Sequence, residues 1–587
     1  MSGPRSRLGR GLAQARADED GIVSMIVVVM VVPVLLGAAA IGIDIANWYF
    51  IAGKIQATAD AAALAGVTHL PTSPPDAFAT AQRYATANGW ANGQNGTTVH
   101  TAVGDKPEQL AVTITATVHN AFGALIGAGE ETLTRTATAD YAGPLQMGSM
   151  CNVLGAEPNP GDGTGSAASG NCVFGRDPKF VINLDFPGAK GGDADTRTTK
   201  DWGDRYGSRY CSPGDDGCNG LDNVEHKPAG YFFKVHVGGR QSQVDVQAFD
   251  PALVATGSRC ENNGTAGTPD QLPTRWPKGN SPNPYVKDAK NRYAGGLATA
   301  GTGSTATWCT GDHSGMAGQS GATSFAVRAP GTGPDPLSGP VLCARQFRSV
   351  VKTDLTRYLW TGGTNYNTYI SSVFRQWVSL CTLTNPTPGD YWIQVRVDLP
   401  DSQPNLAAAM NRLTDGGSTA TGVNGFSLRA KVTGDPGQVT VSAARSLPLS
   451  VNMTGSGTFF LTRIGSDQAG RNLAVSLFDP ADVTGATATV RISGPAGSPW
   501  STLNGCTATG VTNGALTNCT VRGMTQAAYN GKIQNYYIPI PADYSCNDTD
   551  PTACWFRVTY TYRGGGHVFD ATTLDTQLND DPVRLIR

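Results

Sequence analysis

Charge is scarce in this 587-residue chain: 15% of residues are Asp, Glu, Lys or Arg, and the formal net charge is -2. A chain without basic excess has no electrostatic reason to bind nucleic acid. Histidine is scarce too, with seven in all. None forms H-E-x-x-H, and no two cysteines stand as C-x-x-C, so the familiar zinc spacings are missing. There is no G-x-S-x-G elbow, no P-loop, and no G-x-G-x-x-G at a strand–helix junction. These absences leave no catalytic set, so the chain reads as a non-enzyme with no cofactor implied.

Cysteine is missing before residue 151 and present twelve times after it: Cys151, Cys172, Cys211, Cys218, Cys260, Cys309, Cys343, Cys381, Cys506, Cys519, Cys546 and Cys554. An even number confined to one part of the chain reads as a disulfide set in an oxidising compartment, ahead of metal ligation. Cys211–Cys218, Cys506–Cys519 and Cys546–Cys554 are the close pairs, although spacing alone does not fix connectivity. The acidic turn Asp215–Asp222 offers oxygen ligands at the short spacing that suits Ca²⁺, but not in an EF-hand register, and a solvated disulfide turn fits it better. Trp202, Tyr206 and Tyr210 have the shape to stack on sugars or, equally, to plug a β core.

One long apolar run is present. No charged residue occurs from Ile22 to Ile43, and at about 1.5 Å per residue such a helix crosses the ~30 Å hydrocarbon core. Pro33, Gly37 and Gly42 are tolerated in such helices. Arg5, Arg7, Arg10 and Arg16 precede the run, whereas only Lys54 follows closely. The positive-inside rule therefore puts residues 1–21 in the cytoplasm and the rest outside, in a single-pass topology. Ala38-Ala39-Ala40 also resembles a signal-peptide cleavage site, but the apolar run continues past it. Either reading exports the remainder.

Residues 44–67 continue the helix. Ile45, Trp48, Ala52, Ile55, Ala59, Ala62 and Gly66 recur every three or four residues and make one apolar, small-residue stripe. Two readings stay open: contact with an assembly partner, or packing on the protein's own next element. A short helix over about Asp76–Asn88 ends near Gly89. Leu110, Val112, Ile114, Ala116 and Val118 then alternate as a half-buried strand, and 132–140 alternates again. The stretch 143–172 reads as a linker.

From 173 onward, short strands alternate with Gly, Pro and Asn turns, the pattern of β-sandwiches. An internal repeat is visible. Phe232-Phe233 leads to Phe249-Asp250-Pro251-Ala252, and Phe459-Phe460 leads to Phe478-Asp479-Pro480-Ala481. Each is followed later by a strand with an aromatic start, at Tyr391-Trp392 and at Trp555-Phe556. The F-D-P-A element reads as a strand end and Asp-Pro turn, with a ligand role for Asp250 and Asp479 the lesser reading. The expected architecture is mainly β. It comprises a transmembrane helix (22–43), a small α+β region (44–142), and two disulfide-bearing sandwich-like domains (173–445 and 446–587). Insertions are expected in the first sandwich at about 257–322 and 331–380.

Several features of the N-terminal segment go together. They are Gly21 before the span, Pro33 and Gly37 within it, Asp44 at its end, the aromatic pair Trp48-Tyr49, and the run Ile55–Ala65 with Asp60 opening its alanine-rich part. This segment resembles that of TadG-like proteins of the Flp (Tad) pilus-assembly system, over about residues 18–70. The resemblance implies a membrane-anchored, exported component of pilus assembly at the cell envelope, with pilus-assembly proteins as partners. Together with the small-residue stripe, it singles out Asp44, Trp48, Ala52, Ile55, Ala59, Asp60, Ala62 and Gly66 as the membrane and assembly helix. The D-x-S-x-S metal motif of some relatives is absent, so that site is not carried over. Ile26 stands where pilin-like relatives carry Glu after the cleaved Gly, which favours a retained anchor. The alternative from another class is a surface adhesin that binds a carbohydrate or other surface ligand through its β domains.

Overall fold

The computed structural model describes residues 8–70, 74–105, 108–141, 145–155, 179–185, 229–255, 321–331, 335–351, 368–373, 377–414, 416–418, 420, 423–454, 456–481, 487–529, 532–550, 552–563, 567–578 and 583–586. The Asp215–Asp222 turn, Trp202, Tyr206, Tyr210 and most of the linker lie outside them. So do Cys172, Cys211, Cys218, Cys260 and Cys309. The described chain divides into two compact units, 1–141 with 583–587, and 142–582.

The first unit is built on α1 (Leu8–Val67), which runs unbroken through Pro33. Next comes α2 (Pro74–Ala87), closed by Gly89 in the left-handed region at φ 90° that glycine adopts freely. Strands β1 (Thr97–Val103), β2 (Gln109–His119) and β3 (Glu130–Tyr141) form an antiparallel meander. A fourth strand, Val583–Ile586, pairs with β3, placing Val583 opposite Tyr141 and Ile586 opposite Thr138. The second unit is therefore an insertion between two neighbouring strands of the first. The alternation read from sequence is the burial alternation of β2, whose Leu110, Val112, Ile114 and Ala116 face the two helices.

Among the described residues, the strand pairs of the second unit are antiparallel apart from one short parallel pair. Its first half holds β4 (Gln146–Met147), β5 (Val153–Leu154), β6 (Lys179–Asp185), β7 (Tyr231–Val237), β8 (Gln243–Phe249), β9 (Val254–Ala255), β10 (Ala322–Arg328), β11 (Val341–Arg348) and β12 (Val350–Val351). It continues with β13 (Trp377–Thr384), β14 (Gly389–Arg396), β15 (Val423–Thr433) and β16 (Val439–Ala444). The parallel pair is β9 with β12. The second half holds β17 (Ser446–Thr454), β18 (Ser456–Arg463), β19 (Asn472–Phe478), β20 (Thr487–Ser493), β21 (Thr507–Gly510), β22 (Gly514–Ala515) and β23 (Thr520–Met524). It ends with β24 (Ile533–Pro539), β25 (Trp555–Arg563) and β26 (His567–Leu578).

In the first half one layer runs β11–β10–β14–β7 and the facing layer β13–β8–β15–β6. In the second half the orders are β23–β20–β25–β18 and β24–β19–β26–β17. Strand for strand, the two orders are the same. Eight strands in chain order, split between two layers in this way, make a jelly roll, and the repeat is a tandem of two. The register repeats as well. Phe249 lies opposite Trp377 and Ser427, and Phe478 lies opposite Ile533 and Thr573.

The halves are fused into continuous layers. β6 pairs with β17, joining one layer across the repeat. β16 and β4 bridge β7 to β18 in the other. Phe426 of one layer packs edge-on against Phe233 and Phe325 of the other, with ring centroids 6.4 and 5.3 Å away. The apolar core is contiguous through both halves. Part of the stretch expected as an insertion, Val341–Arg348, is in fact the strand β11, with β23 as its counterpart.

Candidate membrane-anchoring site

From Met25 to Leu36 the large side chains of α1 are bare, Met30 at 70% exposure, with Ile41 and Ile43 continuing the run. The region contains a helix long and apolar enough to cross a membrane. An exposed apolar surface of this length suits lipid better than water.

At Asp44 the surroundings change. Its side chain is buried, and its carboxylate accepts backbone N–H groups from the β2–β3 turn: Ala121 at 2.9 Å, Phe122 at 3.2 Å and Gly123 at 2.7 Å. One turn of helix later, Trp48 Nε1 donates to Asn120 Oδ1 at 2.5 Å. Asn120 Nδ2 donates in turn to Ala128 O at 2.8 Å, tying the two limbs of that turn together. A carboxylate held by three N–H donors is a strong local clamp. Sequence reading singled out Asp44 and Trp48 but not Asn120, whose only signal was its place between two alternating strands.

Below the clamp the small-residue stripe is covered from within the chain. Ile55, Ala59, Ala62, Ala63 and Val67 are fully buried against Ala77, Ala81 and Ala85 of α2 and against the sheet. Ala52 is buried too, and a Cβ placed on Gly66 would stand 2.5 Å from Leu110 Cδ2 and 2.6 Å from the Ala77 carbonyl oxygen. Small residues there let α2 approach α1 closely. Of the two readings of the stripe, this packing is the one in which it serves the protein's own fold. Ile45 departs from the expected stripe, being 38% exposed. Asp44 takes the inward position because the spacing 44, 48, 52, 55 is the one that keeps to a single helix face. Asp60 is half-buried and accepts Gln56 Nε2 at 2.8 Å, while Gln56 also reaches Thr136 O on β3.

Other polar clusters stand among the described residues. Arg396 and Asp398, both buried, form a bidentate pair at 2.9 and 2.7 Å. The rest of the Arg396 guanidinium caps the carbonyls of Ala409, Arg412 and Thr414 at the end of the short helix Leu406–Met410. Asp250 and Asp479 are buried with φ of 54° and 53°, so the F-D-P-A element is a repeated left-handed turn and its carboxylates are not presented to solvent. His236 is exposed and meets Asp390 Oδ1 at 2.6 Å, and Lys234 meets Oδ2 at 3.2 Å.

Cys343–Cys381, Cys506–Cys519 and Cys546–Cys554 are disulfides. The last two are pairs expected from spacing. Cys546, Asp548 and Cys554 lie close together, but their two sulfurs are bonded to each other and so are not thiolate ligands. Cys151 is buried beside Ser149.

Residues 21–69 match the Tad family model, described as putative Flp pilus-assembly TadE/G-like. The match begins at the glycine before the apolar run and ends in the turn after α1, so it covers the bare half of the helix, the Asp44–Trp48 clamp and the buried stripe. Neither a curated protein nor a solved structure matches the chain. The Tad domain relates the protein to Flp pilus assembly, and its long apolar helix fits membrane anchoring.

Proposed function

We propose that the protein is a single-pass, membrane-anchored component of Flp/Tad pilus assembly whose tandem jelly roll acts outside the cytoplasm as a structural or interaction module, without catalysis. The observation that carries this reading is the coincidence of the Tad domain with a helix that is bare over 25–43 and docked on its own sheet over 52–67. An anchor needs the first property and a rigid stalk base needs the second. The arginines at 5, 7, 10 and 16 favour a cytoplasmic N-terminus. Disulfides in the exported part agree with an oxidising compartment.

Deletion of the gene tests the role. Loss of pilus fibres in electron micrographs supports assembly. Intact fibres with lost attachment favour the adhesin reading, in which the β domains bind a surface ligand. Intact fibres and unchanged attachment defeat both.

A further inference from the structure

The β2–β3 hairpin climbs α1 toward its apolar half. Gln56 meets β3 at Thr136, Trp48 meets the end of β2 at Asn120, and Asp44 holds residues 121–123. The tip therefore arrives where the uncharged run of α1 ends. Its sequence, AFGALIGAG over residues 121–129, has no charged or hydrogen-bonding side chain. Phe122 is 40% exposed, and Ala121, Ala124 and Gly127 are exposed around it.

Part of the tip's backbone is satisfied inside the chain, at both of its limbs. Asp44 takes three N–H groups, Ala128 N donates to Gly123 O at 2.9 Å, and Asn120 N donates to Gly129 O at 2.8 Å. Backbone that has found its partners is the condition for entering an apolar medium, where an unmet N–H costs several kcal/mol. On α1 next to Asp44, Ile45, Tyr49 and Phe50 are exposed, Tyr49 at 76%. Aromatic rings at this depth are the usual anchors of a membrane interface.

We infer that the hairpin tip, residues 121–129, is a second membrane contact, seated in the lipid interface beside α1 with Phe122 as its apolar anchor. This rests on the reading that α1 spans the membrane. A lone helix leaves its domain free to turn about the helix axis, whereas a second contact at the same depth fixes tilt and rotation. It also accounts for Asp44: a carboxylate at the hydrocarbon edge is tolerated when hydrogen bonds surround it.

The test uses the full chain in vesicles of phosphatidylcholine and phosphatidylglycerol doped with nitroxide-labelled lipid. A fluorescent amino acid is placed singly at position 122, at position 31 in the span, and at position 105, which is exposed at the opposite end of the hairpin. The expected result is loss of emission at 31 with the nitroxide deep in the acyl chain, loss at 122 with the nitroxide near the headgroup, and none at 105. Quenching at 31 with 122 no dimmer than 105 overturns the hairpin contact and leaves the anchor standing. No quenching at 31 overturns the spanning reading and this inference with it. Ala124 is exposed and makes no hydrogen bond to Asp44, so a probe there repeats the measurement without disturbing the clamp.

Discussion

Asp44 is the residue on which the first unit turns, because it converts the end of an apolar helix into the start of a folded domain. Replacing it with alanine leaves three backbone N–H groups of the 121–123 turn without an acceptor. The expected cost is about 1–3 kcal/mol, read as faster hydrogen exchange at those amides, with Asp44→Asn milder because it keeps an acceptor oxygen. Ala59 and Ala62 give the second residue-scale outcome. Both are fully buried between α1, α2 and the sheet. Ala59→Leu with Ala62→Leu is therefore expected to destabilise the protein itself by about 1–3 kcal/mol through overpacking. Chemical unfolding of the purified chain measures it, and unchanged stability with lost crosslinks to pilus components would restore the partner-contact reading. Asp390 supplies a pH signal. Burial pushes its carboxyl up, but the His236 hydrogen bond and the Lys234 charge outweigh burial and hold it down at about 2. Its unfolded value is about 3.9, so its stabilisation is present above that and is lost as pH falls toward about 2. An acid titration of stability should be shallower over this window in Asp390→Asn.

Among the elements, those whose signal is local were legible in sequence. α2 was expected over Asp76–Asn88 and runs Pro74–Ala87, since proline is at home in a first helical turn. β2 and β3 alternate cleanly and were found. The F-D-P-A repeat was enough to show two related sandwiches, and strand pairing shows that the repeat extends to all eight strands. β11 was hidden because Val341, Cys343 and Ala344 are only half-buried and Leu342 is exposed, which erases its period of two. The clamp was half legible: Asp44 and Trp48 stand out on the helix, but their partners in the 120–123 turn are set by tertiary contact. Two element-scale outcomes follow. Arg396→Met leaves the buried Asp398 carboxylate without its cation, at an expected cost of about 3–5 kcal/mol, seen as a lower unfolding midpoint. Cys343–Cys381 closes a loop 38 residues long, and removing it should cost about 3–4 kcal/mol if chain entropy dominates.

Protease added to spheroplasts should degrade the tandem jelly roll, and full protection with the outer barrier open would refute an exported second unit. Thiol labelling of the denatured, unreduced chain should find few reactive groups.

The insertion of the second unit between β3 and the strand Val583–Ile586 also sets an order of events. The helix, α2 and the β1–β2–β3 meander use contacts within 141 residues of chain and can form early. The edge of β3 waits for a strand about 440 residues later, and contacts of such separation come late in folding. Until then β3 is an open edge, ready to pair with a strand from another molecule. The strand Val583–Ile586 thus acts as a clock: its pairing closes the edge of β3 only after the intervening chain has been made.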